Sequence, residues 1–199
     1  MKTKGEKTKQ HIVEVAAELF WKNSYQGVNT NTISSAAGVN KATMYRYFPS
    51  KDNLALAVIE NYCDRTLAYV FEGSFEATAD PVARLKEIYR RVYQTHQDTF
   101  DQDASSPGCP FVNIVVEMGT TNAEIRQATD QCFQRFGEYY RQIVRDAKRL
   151  GISPDNLDED RAVQTLINVM NGGMVSSKIK NCPEEILAMA PVAELVLKG

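Results

Sequence analysis

Long apolar runs are missing from this chain. No stretch approaches the roughly 18 consecutive apolar residues that a membrane-spanning helix needs. The opening residues, Met1-Lys2-Thr3-Lys4-Gly5, lead into a polar segment rather than the apolar core of a secretion signal. A cytoplasmic location is therefore expected, with no membrane as partner. Histidine is scarce, at His11 and His96 alone, and the cysteines at 63, 109, 132 and 182 include no CxxC pair. That spacing is wrong for a structural zinc site, so no metal or other cofactor is expected. No HExxH, GxSxG, P-loop or dinucleotide fingerprint occurs, and nothing in the sequence points to an enzyme. Sustained period-two alternation is also lacking, which leaves no candidate strand.

What is present is helical. The chain has 199 residues, 43% apolar and 24% charged, ordinary values for a globular protein of one large or two small domains. Ile12, Val15, Ala16, Leu19 and Phe20 repeat at the spacing of one buried helical stripe, and Asn23-Ser24 with Gly27 end that helix. A short second helix is expected from Thr30 as cap, with Ile33, Ala36 and Ala37 inward. Gly38 follows, where a left-handed residue turns the chain. Asn40 is expected to cap a third helix from Lys41 to about Tyr47, with Met44 and Phe48 pointing inward. Pro49-Ser50 breaks the chain and Ser50 caps a fourth helix from Lys51. Asp80-Pro81 starts a fifth, and the Ser/Pro/Gly-rich stretch 101–110 is expected to be loop. A sixth runs from Phe111 to about Met118, a long seventh from Asn122 to about Leu150, an eighth from near Asp158, and a ninth after Pro183. The fold class is all-α, with about nine helices: residues 1–50 as a three-helix head and 51–199 as a larger helical body.

Charge sharpens this division. Residues 1–51 hold eight Lys or Arg against three acids, a net +5, whereas residues 52–199 hold 15 basic and 22 acidic groups, a net −7. The overall charge of −2 therefore hides a basic head on an acidic body, the footprint of local contact with a polyanion. The third helix supplies the chemistry. It commits few residues to a core and offers Lys41, Thr43, Tyr45, Arg46 and Tyr47. Arg and Lys suit guanine edges, Thr suits a thymine methyl, and tyrosine hydroxyls suit phosphate. Thr30 and Lys51 stand at helix N-termini, where unpaired N–H groups also favour phosphate. The alternative is a solvated basic face on a small three-helix unit.

Gly27-Val-Asn-Thr-Asn-Thr-Ile-Ser-Ser-Ala-Ala-Gly-Val-Asn-Lys-Ala-Thr-Met-Tyr-Arg-Tyr-Phe-Pro-Ser-Lys-Asp-Asn-Leu54 resembles the signature of the TetR/AcrR family of transcriptional regulators. The likeness lies in the Thr-led helix, the Ala-Gly-Val turn, the Tyr-x-aromatic-Phe third helix and the Ser-Lys-x-x-Leu start of the fourth. It implies a helix-turn-helix DNA-binding domain, with Thr30, Tyr45, Tyr47 and Lys51 at phosphate-contacting positions and Asn40, Lys41, Thr43 and Arg46 facing the major groove. Ala42 departs from the family's usual glycine and adds one methyl where the backbone nears DNA.

The resemblance further implies a dimer that reads a palindromic operator in double-stranded DNA, two heads set about one turn (~34 Å) apart. Its interface would be the eighth and ninth helices, with Leu166, Met170, Gly173, Met174, Ile186, Ala190 and Leu197 as candidates; intramolecular core is the competing role for each. It also implies a small-molecule effector held among helices four to eight. Tyr62, Tyr89, Tyr93, Cys109, Phe111, Met118, Phe133 and Phe136 are the candidates, again with plain core as the alternative. That set is aromatic and mostly uncharged, which favours an apolar or aromatic effector. Gly108-Cys109-Pro110-Phe111, with Asn113 and Glu117-Met118, is similar to a segment in relatives that include electrophile and oxidant sensors. A helix N-terminus there favours thiolate, so an electrophile or oxidant is one effector class. A small residue in a turn is the other reading of Cys109. A repressor released by its effector is the expected function, with activation and an effector-free architectural module as alternatives.

Overall fold

The computed structural model describes residues 3–199. Met1 and Lys2, counted above in the polar start and the basic head, lie outside the described residues. Nine helices and no strand occur among the described residues: α1 (Lys4–Asn23), α2 (Thr30–Ala36), α3 (Lys41–Tyr47), α4 (Lys51–Thr66), α5 (Pro81–Asp103), α6 (Pro110–Met118), α7 (Ala123–Arg149), α8 (Glu159–Lys180) and α9 (Ala190–Lys198). α4 continues unbroken through a π-helical stretch, Leu67–Glu72, and a further α-turn, Gly73–Ala77. One helical turn, Glu184–Leu187, precedes α9. None of these helices is long and apolar enough to cross a membrane.

Local chemistry explains most boundaries. Thr3 and Glu6 close a capping box at the start of α1, each side chain taking the other's backbone N–H. Asn40 Oδ1 accepts the Thr43 N–H at 2.7 Å, and Ser50 Oγ accepts the Asn53 N–H at 3.0 Å, as expected of those caps. Gly38 turns the chain at φ +62°, in the left-handed region where a side chain is strained. At α2 the cap is Asn29, not Thr30: its Oδ1 takes the N–H of both Asn31 and Thr32, and Thr30 becomes the first helical residue. The expected loop 101–110 is also shorter. α5 runs on to Asp103, and Ala104 ends it at φ +50°. On α1 the buried stripe is Ile12, Val13, Ala16, Ala17 and Phe20; Val13 and Ala17 replace Val15 and Leu19.

The chain forms two compact units. The first holds residues up to Asp64 together with Pro110–Cys132, and the second holds Arg65–Cys109 with Phe133–Gly199. The first is thus larger than a head of 50 residues. It adds the front of α4, α6 and the front of α7, and α6 packs against α1. Its core is Ile12, Ala16, Phe20, Ile33, Met44, Leu54 and Val58, all nearly inaccessible. The second unit packs α5, α8, α9 and the π-helical stretch around Leu85, Ile88, Ile143, Leu166 and Leu197.

Candidate nucleic-acid interface

The outward face of α3 follows from what its core can hold. Met44 and Phe48, one turn apart, are buried against the small core of the first unit. The 3.6-residue repeat then leaves Lys41, Ala42, Tyr45 and Arg46 exposed and Thr43 and Tyr47 half-buried. Tyr45 shows 43% of its surface, which is large for an aromatic side chain.

These side chains are held before any ligand arrives. Thr30 Oγ1 and Tyr45 Oη lie 3.2 Å apart, joining the first turn of α2 to α3. Arg46 lies over the Tyr47 ring, 5.0 Å from its centroid, and donates to Tyr47 Oη at 3.2 Å. The first turn of α1 abuts the same hydroxyl. A Cβ on Gly5 would stand 3.3 Å from Tyr47 Oη, so glycine gives that approach its room. Two hydroxyls and a guanidinium are thereby aligned on one surface, with Lys41 exposed beside them.

Two expected contacts are placed differently. Asn40 spends its Oδ1 on the α3 cap, so only its NH2 group is left as a side-chain donor. Lys51 turns inward. Its Nζ donates to the Tyr25 carbonyl at 2.6 Å and lies 4.0 Å from the Tyr25 ring centroid. Partial burial pushes the Lys51 pKa down, against the opposing pull of Glu117 and Asp52. Lys51 stands in the first turn of α4 with its ammonium engaged inside the first unit.

Sequence reasoning missed the brace behind this face. Glu117 on α6 accepts the backbone N–H of Tyr25 at 3.2 Å and of Gln26 at 2.7 Å. The Tyr25 hydroxyl donates to Asp52, which also accepts Asn122 Nδ2 at 2.9 Å. Only the polarity of Glu117 amid an apolar helix could have signalled it.

The effector candidates divide between the units. Tyr62, Phe111 and Met118 belong to the first. Tyr62 donates to the Ala17 carbonyl and meets the rings of Trp21 and Phe111 edge-on. Met118 Sδ accepts Gln26 Nε2 at 3.1 Å. A crevice with space for about one water lies beside Phe20, Trp21, Tyr62 and Phe111. Tyr89, Tyr93, Cys109, Phe133 and Phe136 belong to the second. Phe136 stacks on Phe71 at 5.2 Å, Phe133 meets Phe136 edge-on, and Tyr93 is half-buried.

Cys109 lies immediately before the first turn of α6. It is 3% exposed, in a strap tied to the end of α8. Ser106 N–H donates to Asn181 Oδ1 at 2.8 Å, and Asn181 Nδ2 donates to the Ala104 carbonyl at 3.0 Å. Cys182 is the more accessible thiol. It donates to Glu184 at 3.1 Å, and that bond pushes its pKa up, away from thiolate.

The expected dimer residues need correction. Leu166, Ile186 and Leu197 are fully buried in the single chain, and Met170, Gly173 and Met174 nearly so, with Ala190 half-buried. They are spent holding α8, α9 and α5 together and have little surface left for a second copy. The faces that α8 and α9 leave exposed carry Val175, Ile179, Val192 and Leu195, and Leu187 is exposed in the turn before α9.

Comparison with known proteins places these features. Residues 12–58 match the bacterial regulatory proteins of the tetR family, and residues 81–190 match the tetracyclin repressor-like C-terminal domain. An HTH-type transcriptional regulator in the lacX 3' region of Lactococcus lactis subsp. lactis is 30% identical over 126 residues. That match covers 63% of this chain and 62% of that protein, under two thirds of its length. The HTH-type transcriptional repressor DhaR of Mycobacterium sp. (strain GP1) is 23% identical over 89% of this chain and 86% of its own. A crystal structure of regulatory protein TetR from Rhodobacter sphaeroides shares the fold. Its TM-score is 0.82 at 21% identity, covering 94% of this chain and 97% of that one.

Proposed function

The chain belongs to the tetR family of bacterial regulatory proteins, and from that premise we propose that it is a repressor that binds a palindromic operator as a dimer and is released by a small molecule. The family is one of DNA-binding transcriptional regulators that typically act as dimers and respond to small-molecule ligands. The carrying observation is the face of α3. Arg46 stacked on Tyr47, and Tyr45 held by Thr30, stand preorganised beside exposed Lys41. Ordering these side chains in advance lowers the entropy cost of binding. Thr30, Tyr45, Tyr47 and the first turn of α4 at Lys51 address phosphates, while Asn40, Lys41, Thr43 and Arg46 address base edges.

The dimer forms through α8 and α9, by the faces carrying Val175, Ile179, Val192 and Leu195. Gly172 lies on the same side of α8, and a Cβ there would meet nothing within 4 Å, so a second helix can approach closely. An effector that favours the form unable to span two half-sites weakens operator binding by its difference in affinity for the two forms. Burial of Cys109 supports a non-covalent effector over an electrophile or oxidant.

The test is a fluorescence-anisotropy titration of a labelled duplex from the promoter region next to the chain's own gene. Saturable binding that weakens steeply with salt, by about 0.9 log units per log unit of salt for each neutralised phosphate, supports the reading. Equal affinity for that duplex and for scrambled DNA overturns it.

A further inference from the structure

The second unit buries a hydroxyl that its own chain does not satisfy. Tyr89 on α5 is 0% exposed, and its Oη has no hydrogen-bond partner among the described residues. Tyr62 and Tyr45, by contrast, are engaged: Tyr62 donates to a carbonyl, and Tyr45 pairs with Thr30. A buried polar group left unpaired costs free energy that phenylalanine at the same place would not. Orphans of this kind mark places where something else supplies the partner.

The surroundings define what that partner is. Leu85 and Ile88 flank Tyr89 along α5, both fully buried. Tyr140 lies close enough on α7 for Tyr89 to add to the rise in its pKa, and burial, the larger cause, pushes both phenols well up. Both rings thus stay protonated and able to donate. The Tyr140 ring meets Phe71 edge-on at 5.4 Å, and Phe71 in turn stacks on Phe136 at 5.2 Å. Phe71 belongs to the π-helical stretch Leu67–Glu72, a form found as short insertions at functional sites.

We propose that the aromatic cluster formed by Tyr89, Tyr140, Phe71 and Phe136 receives an uncharged aromatic ligand bearing a carbonyl-type oxygen, which accepts the Tyr89 hydroxyl proton in a hydrogen bond. The proposal rests on the effector-responsive reading and names the ligand class for it. The ligand's ring replaces part of the Phe71–Phe136 stacking, and its oxygen takes the buried Tyr89 hydroxyl. The rings fill the site in the described conformation, so the ligand selects a form in which the π-helical stretch has moved aside. An ionised carboxylate would have to shed its water among Leu85, Ile88 and Phe71, which excludes acids of the same shape.

The full-length protein and Tyr89→Phe are titrated by calorimetry with acetophenone, ethylbenzene and benzoate. Acetophenone is expected to bind the native protein about fivefold or more tighter than the variant, the worth of one hydrogen bond. Ethylbenzene is expected to bind both alike but more weakly than acetophenone binds the native protein, and benzoate neither. Tyr89→Phe alone is expected to melt no lower than the native protein. The proposal is overturned if acetophenone binds both proteins equally or neither, if benzoate binds best, or if Tyr89→Phe melts several degrees lower, which would mean that a structural water or other fixed partner satisfies the hydroxyl. Operator affinity without any probe is measured in parallel. Intact operator binding with no acetophenone binding removes this ligand class alone; absent operator binding removes the functional reading beneath it.

Discussion

The Glu117 carboxylate accepts the backbone N–H of Gln26 at 2.7 Å, so α6 grips the turn between α1 and α2 from ninety-one residues away in sequence. Its other oxygen takes the Tyr25 N–H at 3.2 Å. The turn that sets α2, and through Gly38 sets α3, is therefore held by a helix outside the three-helix head.

Glu117→Ala leaves two backbone donors without their acceptor. A loss of about 1–3 kcal/mol in stability is expected, a fall of several degrees in Tm. Operator affinity is expected to drop as well, because the α1–α2 turn loses its brace. Glu117→Gln keeps one good acceptor and should recover part of both. Calorimetry with anisotropy checks this, and an unchanged Tm in Glu117→Ala would refute the brace.

The recognition face predicts separable losses. Tyr45→Ala removes a hydroxyl and an exposed ring, and should weaken operator binding about tenfold, or ~1.4 kcal/mol, without changing the circular dichroism. Arg46→Ala is expected to cost about 1–3 kcal/mol at a guanine-bearing position and to relax the preference there. Binding to a panel of single-base operator variants distinguishes the two.

Dimerisation is expected to fail when the exposed apolar faces are charged. Ile179, 77% exposed, and Leu195, 63% exposed, contribute nothing to the core of a single chain. Ile179→Glu with Leu195→Glu should leave the helical content intact, shift sedimentation to the monomer and lose tight operator binding. Persistence of the dimer would move the interface elsewhere.

Acid should destabilise the protein partly through His96. Burial, the largest influence on this ring, holds its pKa below the ordinary 6.5, while Nδ1 lies 2.9 Å from the Val92 carbonyl. As pH falls below 6.5 the unfolded chain takes up a proton that the folded one resists. The stabilisation is whole above that pH and drains away as pH drops toward the folded value. Thermal melts at pH 7.5 and about 5.5 should show a larger loss for the native protein than for His96→Asn, by up to about 1.4 kcal/mol per pH unit. Equal losses would mean that His96 titrates as freely when folded.

Much of the head was legible because its signals are local. Asn40 and Ser50 cap the next helix whatever lies around them, and Gly38 is the residue that a left-handed turn admits without strain. Met44 and Phe48 lie one turn apart and can only share a face. The choice between Asn29 and Thr30 as cap was less legible, because either side chain can do the work and one residue of register decides it. The inward turn of the Lys51 side chain was not legible for a different reason: nothing local shows that the Tyr25 ring and carbonyl lie where its ammonium can reach them.

The sequence by itself determined a basic helix-turn-helix head, its caps and its exposed third-helix face, because periodicity and capping act within a few residues. Tertiary structure alone decided which apolar residues are spent and which are left over. Leu166 and Ile179 are equally apolar on one helix, yet the first is fully buried while the second remains 77% exposed. It alone decided that Glu117 would brace the Tyr25–Gln26 turn and that Tyr89 would be buried with its hydroxyl unpaired. These outcomes depend on which helices meet, and contacts between residues far apart in sequence leave no periodic trace.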